Sequence, residues 1–98
     1  MAEFEWDEEK RLENIRLRQV DFRRAVGIFE NPVVEAKDDR LAYGEDRYRA
    51  LGRVSEEYYL VADTWRGASR RIITAWKVGQ DGQKRYQAVL ARRDQEDD

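Results

Sequence analysis

The spacing of apolar and polar positions changes period partway along this chain. "EFEW" alternates, which sets Phe4 and Trp6 on one face of a short strand. Asp7 then stands as a helix N-cap, with Glu8 and Glu9 in the first turn, where acids oppose the helix dipole. Leu12 and Ile15 supply the apolar spacing of a helix running to about Arg18. A second helix is capped by Asp21. Its Phe22, Ala25, Val26 and Phe29 fall at i, i+3, i+4 and i+7, the cleanest helical face in the chain. Asn31 and Pro32 stop it, because proline disfavours helix at the residue before it.

Beyond Pro32 the period drops to two. "VVEAKDD" predicts a strand, followed by the loop "RLAYGED", where Gly44 permits a turn. In "RYRALGRV", Tyr48, Ala50 and Val54 share one face, and Arg47, Arg49 and Arg53 share the other with Leu51. "EYYLVADTW" is apolar on both faces and reads as a central strand. Arg66 and Gly67 turn the chain into a last strand, "SRRIITAWK". Gly79 to Gly82 is a poor helix start, and from Gln83 onward Tyr86, Val89 and Leu90 form a helical stripe. The order β-α-α-β-β-β-β-α predicts an α+β fold: a short N-terminal strand and two helices, then a four-stranded antiparallel sheet and a C-terminal helix. One domain is expected over residues 1–93, with 94–98 a disordered acidic tail.

The 98 residues suit one modest core, which 41% hydrophobic content with three Trp, five Tyr and three Phe can fill. There is no cysteine, which excludes disulfides and thiolate metal sites and fits a cytoplasmic protein. No apolar run approaches a membrane span, and the opening residues are too acidic for a signal peptide. The net charge of −2 conceals an asymmetry. Residues 66–93 carry eight basic side chains against Asp81 alone, while residues 1–9 hold five acids and residues 94–98 four, with no base in either. A local basic surface is the footprint of a polyanionic partner, although a solvated charged face has the same composition. No carboxylate pair has metal-site spacing, and no Gly-rich phosphate loop is present.

Taken in order, several of these pieces resemble the BrnT family of small bacterial toxins, whose fold is similar to that of RelE-type ribonucleases. The pieces are "EFEWDEEK", Asn14 followed by "VDF", and Phe29 with Asn31 and Pro32. They continue with "YGEDR" and Gly52, Thr64 with Arg66 and Gly67, "RIITA" with Lys77, and Tyr86. The resemblance covers about residues 3–86. It departs where the family usually has Lys-His-Gly and this chain has Leu17, Arg18 and Gln19. Trp76 stands in place of a family arginine and Gly82 in place of a glutamate, and the chain has no histidine.

The resemblance implies a cytoplasmic toxin of a type II toxin-antitoxin system, acting as a metal-independent endoribonuclease without a cofactor. RNA would be its substrate and a DNA-binding, BrnA-like antitoxin its partner. RNA cleavage needs a base for the 2′-hydroxyl proton, cations around the phosphate and an acid for the leaving oxygen. Arg66 and Arg71 are the expected phosphate ligands, with Lys77 assisting proton transfer. Arg71 and Lys77 are separated by an even number of residues and are therefore expected on one strand face. Arg18, Arg47, Thr64, Trp76 and Tyr86 are the further RNA contacts, with Trp76 open to a core role and Tyr86 able to stack or donate its hydroxyl. The alternative is a catalytically degenerate scaffold whose basic segment binds a protein.

Overall fold

Both helix starts are made by aspartates, as the capping pattern predicts. In the computed structural model, which describes residues 3–39, 42 and 44–96, the Asp7 carboxylate accepts hydrogen bonds from the backbone N–H groups of Glu9 and Lys10 at 2.9 and 3.4 Å. It opens α1 (Glu8–Arg18), which ends at Gln19 in a left-handed conformation. Asp21 accepts from the N–H of Arg23 and opens α2 (Phe22–Ala25). Here the chain departs from the continuous helix expected to Phe29, tightening into a 3₁₀ turn over Val26–Glu30. Gly27 gives an α-helix little support at this point. The turn brings Ile28 so close to the sheet that a Cβ on Gly52 would lie 2.6 Å from the Ile28 Cβ.

The strands are β1 (Glu3–Glu5), β2 (Val34–Lys37), β3 (Arg47–Val54), β4 (Glu57–Arg66) and β5 (Ser69–Lys77). They form one five-stranded sheet in the order β1-β5-β4-β3-β2, with β4 central as its two apolar faces require. Four strands pair antiparallel, but β1 adds to β5 in parallel, Glu3 opposite Ser69 and Glu5 opposite Arg71. This corrects the expected four-stranded antiparallel sheet to a mixed one. The reason is long-range: β5 would otherwise leave an open row of backbone donors and acceptors. Past the end of β1, Asn14 of α1 continues the cover. Its Nδ2 donates to the Ala75 and Val20 carbonyls at 2.8 and 2.9 Å, while its Oδ1 accepts from the Thr74 hydroxyl at 3.0 Å and the Ala75 N–H at 3.5 Å.

α1 therefore packs differently from its expected apolar spacing. Leu12 is 54% exposed, whereas Arg11 and Asn14 are buried. Arg11 ties the helix start to α2 through Glu8 and Asp21, and the Glu8 hydrogen bond, with Asp21 adding to it, raises its pKa despite desolvation.

One core lies between the sheet and α2 with its 3₁₀ turn. Phe22, Ala25 and Ile28 meet Ala50, Tyr59, Val61, Ile72 and Ala75 there. Fully burying a side chain such as Phe22, Ile28, Ile72 or Val61 stabilises by about 1.5–3 kcal/mol. A smaller core on the other face joins Leu51, Tyr58 and Leu60 to Tyr86 and Leu90 of α3 (Gln80–Glu96). That helix begins three residues before Gln83, because Gly82 passes Val78 where an added Cβ would lie 2.8 Å away. It also continues through Glu96, into the segment expected to fray, while residues 97 and 98 and part of the 40–46 loop lie outside the described residues.

Candidate nucleic-acid interface

Cross-strand register decides which charges can meet. Directly paired residues in adjacent strands share a face. Glu5 pairs with Arg71, Arg71 with Thr64 and Thr64 with Arg47, so these four form a row across β1, β5, β4 and β3 on the α3 side of the sheet. Arg66 pairs with Ser69 at the adjoining rim, and Arg49 with Ala62 in the next row inward. The small second core covers only the far half of this face, so the row remains outside it. Arg71 contacts Glu5 at 3.4 Å and Arg47 contacts Glu45 at 3.2 Å. The Thr64 hydroxyl donates to the Asp46 carbonyl at 2.6 Å, which fixes the start of β3 against β4.

Lys77 does not join them. Between Ala62 and Asp63 the β4–β5 register shifts: Ala62 pairs with Thr74 and Asp63 with Ile72, leaving Ile73 as an extra residue without a partner. Such a bulge reverses the alternation on one side of it. Arg71 faces with Thr64, while Lys77 faces with Tyr59, on the opposite surface. The even separation from Arg71 thus misleads, and the expected Arg71–Lys77 face is corrected. Lys77 instead donates to Glu57 at 2.8 Å, beside Arg24 at 2.8 Å and the Tyr59 hydroxyl at 3.0 Å. Lys77, Arg24 and Tyr59 hold the Glu57 carboxyl down to about 2, and Glu57 in turn raises the Lys77 pKa. A raised pKa is the wrong direction for a lysine asked to exchange protons near neutrality.

The remaining expected contacts divide similarly. Trp76 pairs with Leu60 and so lies on the same face as Arg71, half-buried, with the Arg18 guanidinium 5.0 Å from its ring centroid. A cleft of about 270 Å³ opens beside them between α1 and β5, lined by Lys10, Glu13, Asn14, Leu17, Arg18, Ile73 and Thr74. Tyr86 does not reach this surface. It is 4% exposed, packs edge-on against Tyr58 at 5.5 Å and donates its hydroxyl to the Pro32 carbonyl at 2.6 Å. Desolvation raises its pKa.

One member of the row was invisible to local pattern, whereas pairing of Arg70 with Asp63 on the adjacent strand was open from the sequence. Glu5 enters the row only through the parallel pairing of β1. On the opposite face Arg70 lies between the rings of Phe29 and Trp65, 4.2 and 4.5 Å from their centroids. It bonds Glu35 at 2.6 Å and the fully buried Asp63 at 3.2 Å. Burial pushes the Asp63 carboxyl up to about 6 although Arg70 pulls it down. Among the described residues no group of three or more acids could hold a metal ion, and no helix is long and apolar enough to cross a membrane.

No curated protein matches the chain. The profile of the family described as "Ribonuclease toxin, BrnT, of type II toxin-antitoxin system" matches residues 6–81, which takes in β5, the Arg71–Thr64–Arg47 row and the beginning of α3. By that match, over most of its length, the chain belongs to the BrnT family of type II toxin-antitoxin ribonuclease toxins.

Proposed function

We propose that the chain is a metal-independent endoribonuclease that binds its scissile phosphate on the Arg71–Thr64–Arg47 row, with Arg66 at the rim. The observation that carries this reading is the row itself: the partly exposed side chains of Arg71 and Arg47 stand on either side of the buried Thr64 on one sheet face. Arginine matches phosphate oxygens with a planar fork of N–H donors and stays charged at any working pH. In the proposed step the 2′-oxygen attacks phosphorus, the bond to the 5′-oxygen breaks, and a 2′,3′-cyclic phosphate forms. Arg71 and Arg66 stabilise the charge that builds on the non-bridging oxygens. Glu5, 3.4 Å from Arg71, is the carboxylate placed to take the 2′-hydroxyl proton, and water protonates the departing 5′-oxygen. Trp76 and Arg18 offer a stacking surface to a neighbouring base. The partner is an antitoxin of the DNA-binding, BrnA-like kind.

Purified protein incubated with RNA is expected to generate 2′,3′-cyclic ends, and Arg71→Ala to lower the rate by about 100-fold or more. Induced expression should arrest bacterial growth in the same pattern. Equal cleavage by both forms would remove the row from the chemistry. A second reading, a scaffold that binds only its antitoxin, is favoured by the displacement of Lys77 from this face. On that reading expression is silent.

A further inference from the structure

Two sheet arginines, Arg49 and Arg70, have a buried Nε without a hydrogen-bond partner, and of the two Arg49 is the one that lacks a carboxylate among the described residues. Arg47, Arg70 and Arg71 each have one. The buried Nε is closed to solvent, but among the described residues the two Nη groups of Arg49 are neither buried nor hydrogen-bonded, and they are the donors that can take an acceptor from outside. The surroundings define where. Arg49 lines a cleft of about 250 Å³ with Arg85 of α3, over an apolar floor of Val34, Ala36, Leu51 and Leu60. Arg85 likewise makes no ion pair among the described residues.

Resting on the ribonuclease reading above, we propose that Arg49 and Arg85 form a second phosphate subsite, which holds the backbone of the nucleotide next to the scissile linkage. The ligand is single-stranded RNA. Arg49 lies two residues from Arg47 on the same strand face, a step of roughly 7 Å, comparable with the distance between successive phosphates of an extended strand. The apolar floor lowers the local dielectric and strengthens the pairing of guanidinium with phosphate. The size admits a phosphate with its ribose and leaves the base outside, so the subsite reads backbone rather than sequence.

The test uses the full chain and uncleavable 2′-O-methyl oligoribonucleotides, a dinucleotide with one linkage and a hexanucleotide, titrated at several salt concentrations. Arg49→Gln is expected to weaken the hexanucleotide by about 5- to 20-fold and to reduce the salt slope by about 0.7, the loss of one phosphate contact on a single strand. Dinucleotide affinity should change less than twofold. On cleavable RNA the same variant should raise KM and leave kcat within twofold, and Arg85→Gln should behave alike. Melting curves check that each variant folds. An unchanged hexanucleotide affinity and slope, or an equal loss on the dinucleotide, overturns the subsite. Wild-type protein that binds the hexanucleotide but cleaves no RNA overturns the ribonuclease reading alone, and the slope still decides the subsite. Absence of hexanucleotide binding by the wild type overturns both.

Discussion

Two adjacent arginines of β5 meet different surroundings, and the difference sets what each substitution will do. Arg70 is 11% exposed in its side chain and neutralises Asp63 while stacking between Phe29 and Trp65. Arg70→Ala leaves Asp63 buried without its cation, so unfolding in urea should show a loss of about 3–5 kcal/mol. Asp63 itself makes stability depend on pH. An unfolded aspartate titrates near 4, as a general reference value, and the folded carboxyl is pushed up to about 6. Between those values the folded chain holds the extra proton. This contribution is therefore fully present below about pH 4 and lost as pH rises through about 6. Glu57, held down at about 2, acts in reverse, supplying stability above about pH 4.5 that is lost on acidification. The difference between wild type and Asp63→Asn isolates the first. It should fall on the order of 2–3 kcal/mol from pH 4 to 7 in denaturant titrations.

At the scale of elements, Asn14 acts as a substitute strand. Its amide occupies the donor and acceptor of Ala75 that β1 is too short to reach. Asn14→Ala should cost about 1–3 kcal/mol for each buried backbone group left unpaired, and the Ala75 amide should lose hydrogen-exchange protection before the β3–β4 amides do. The caps, the strands β3, β4 and β5 and their turns were legible because each is written in local spacing: Asp7 and Asp21, the alternation from Arg47 to Val54, and Arg66 with Gly67. Asn14 was recognisable only through family resemblance, since nothing local marks a polar helix face as buried. The strand β1 was read from its alternation, but its parallel place beside β5 and the start of α3 were missed for a related reason. The first depends on a partner more than sixty residues away, and the second on Gly82 passing close to Val78.

For the whole molecule, the sheet separates two sets of charge. One side carries Arg47, Arg49, Arg66 and Arg71, and the other carries Arg70 with Asp63 and Lys77 with Glu57. Lys77→Ala is therefore expected to cleave RNA within about threefold of wild type, in an assay where Arg71→Ala falls about 100-fold. Matched losses would show that both sides contribute. The site was half legible: charge counting found the basic segment, and pairing of strands put Arg71, Thr64 and Arg47 in line. Parity along β5 failed because it assumes an unbroken pleat, and no residue type around Ile73 announces the extra position. That extra position has a genetic corollary. Removing the single codon for Ile73 would restore strict alternation and leave everything beyond it on its present side, Trp76 with Arg71 and Lys77 with Tyr59, whereas a pleat drawn straight through Ile73 would send Trp76 inward and Lys77 to the arginines. The missing triplet would thus leave the two charged surfaces in place, and related chains compared by odd or even position without regard to it would have their charges assigned to the wrong side.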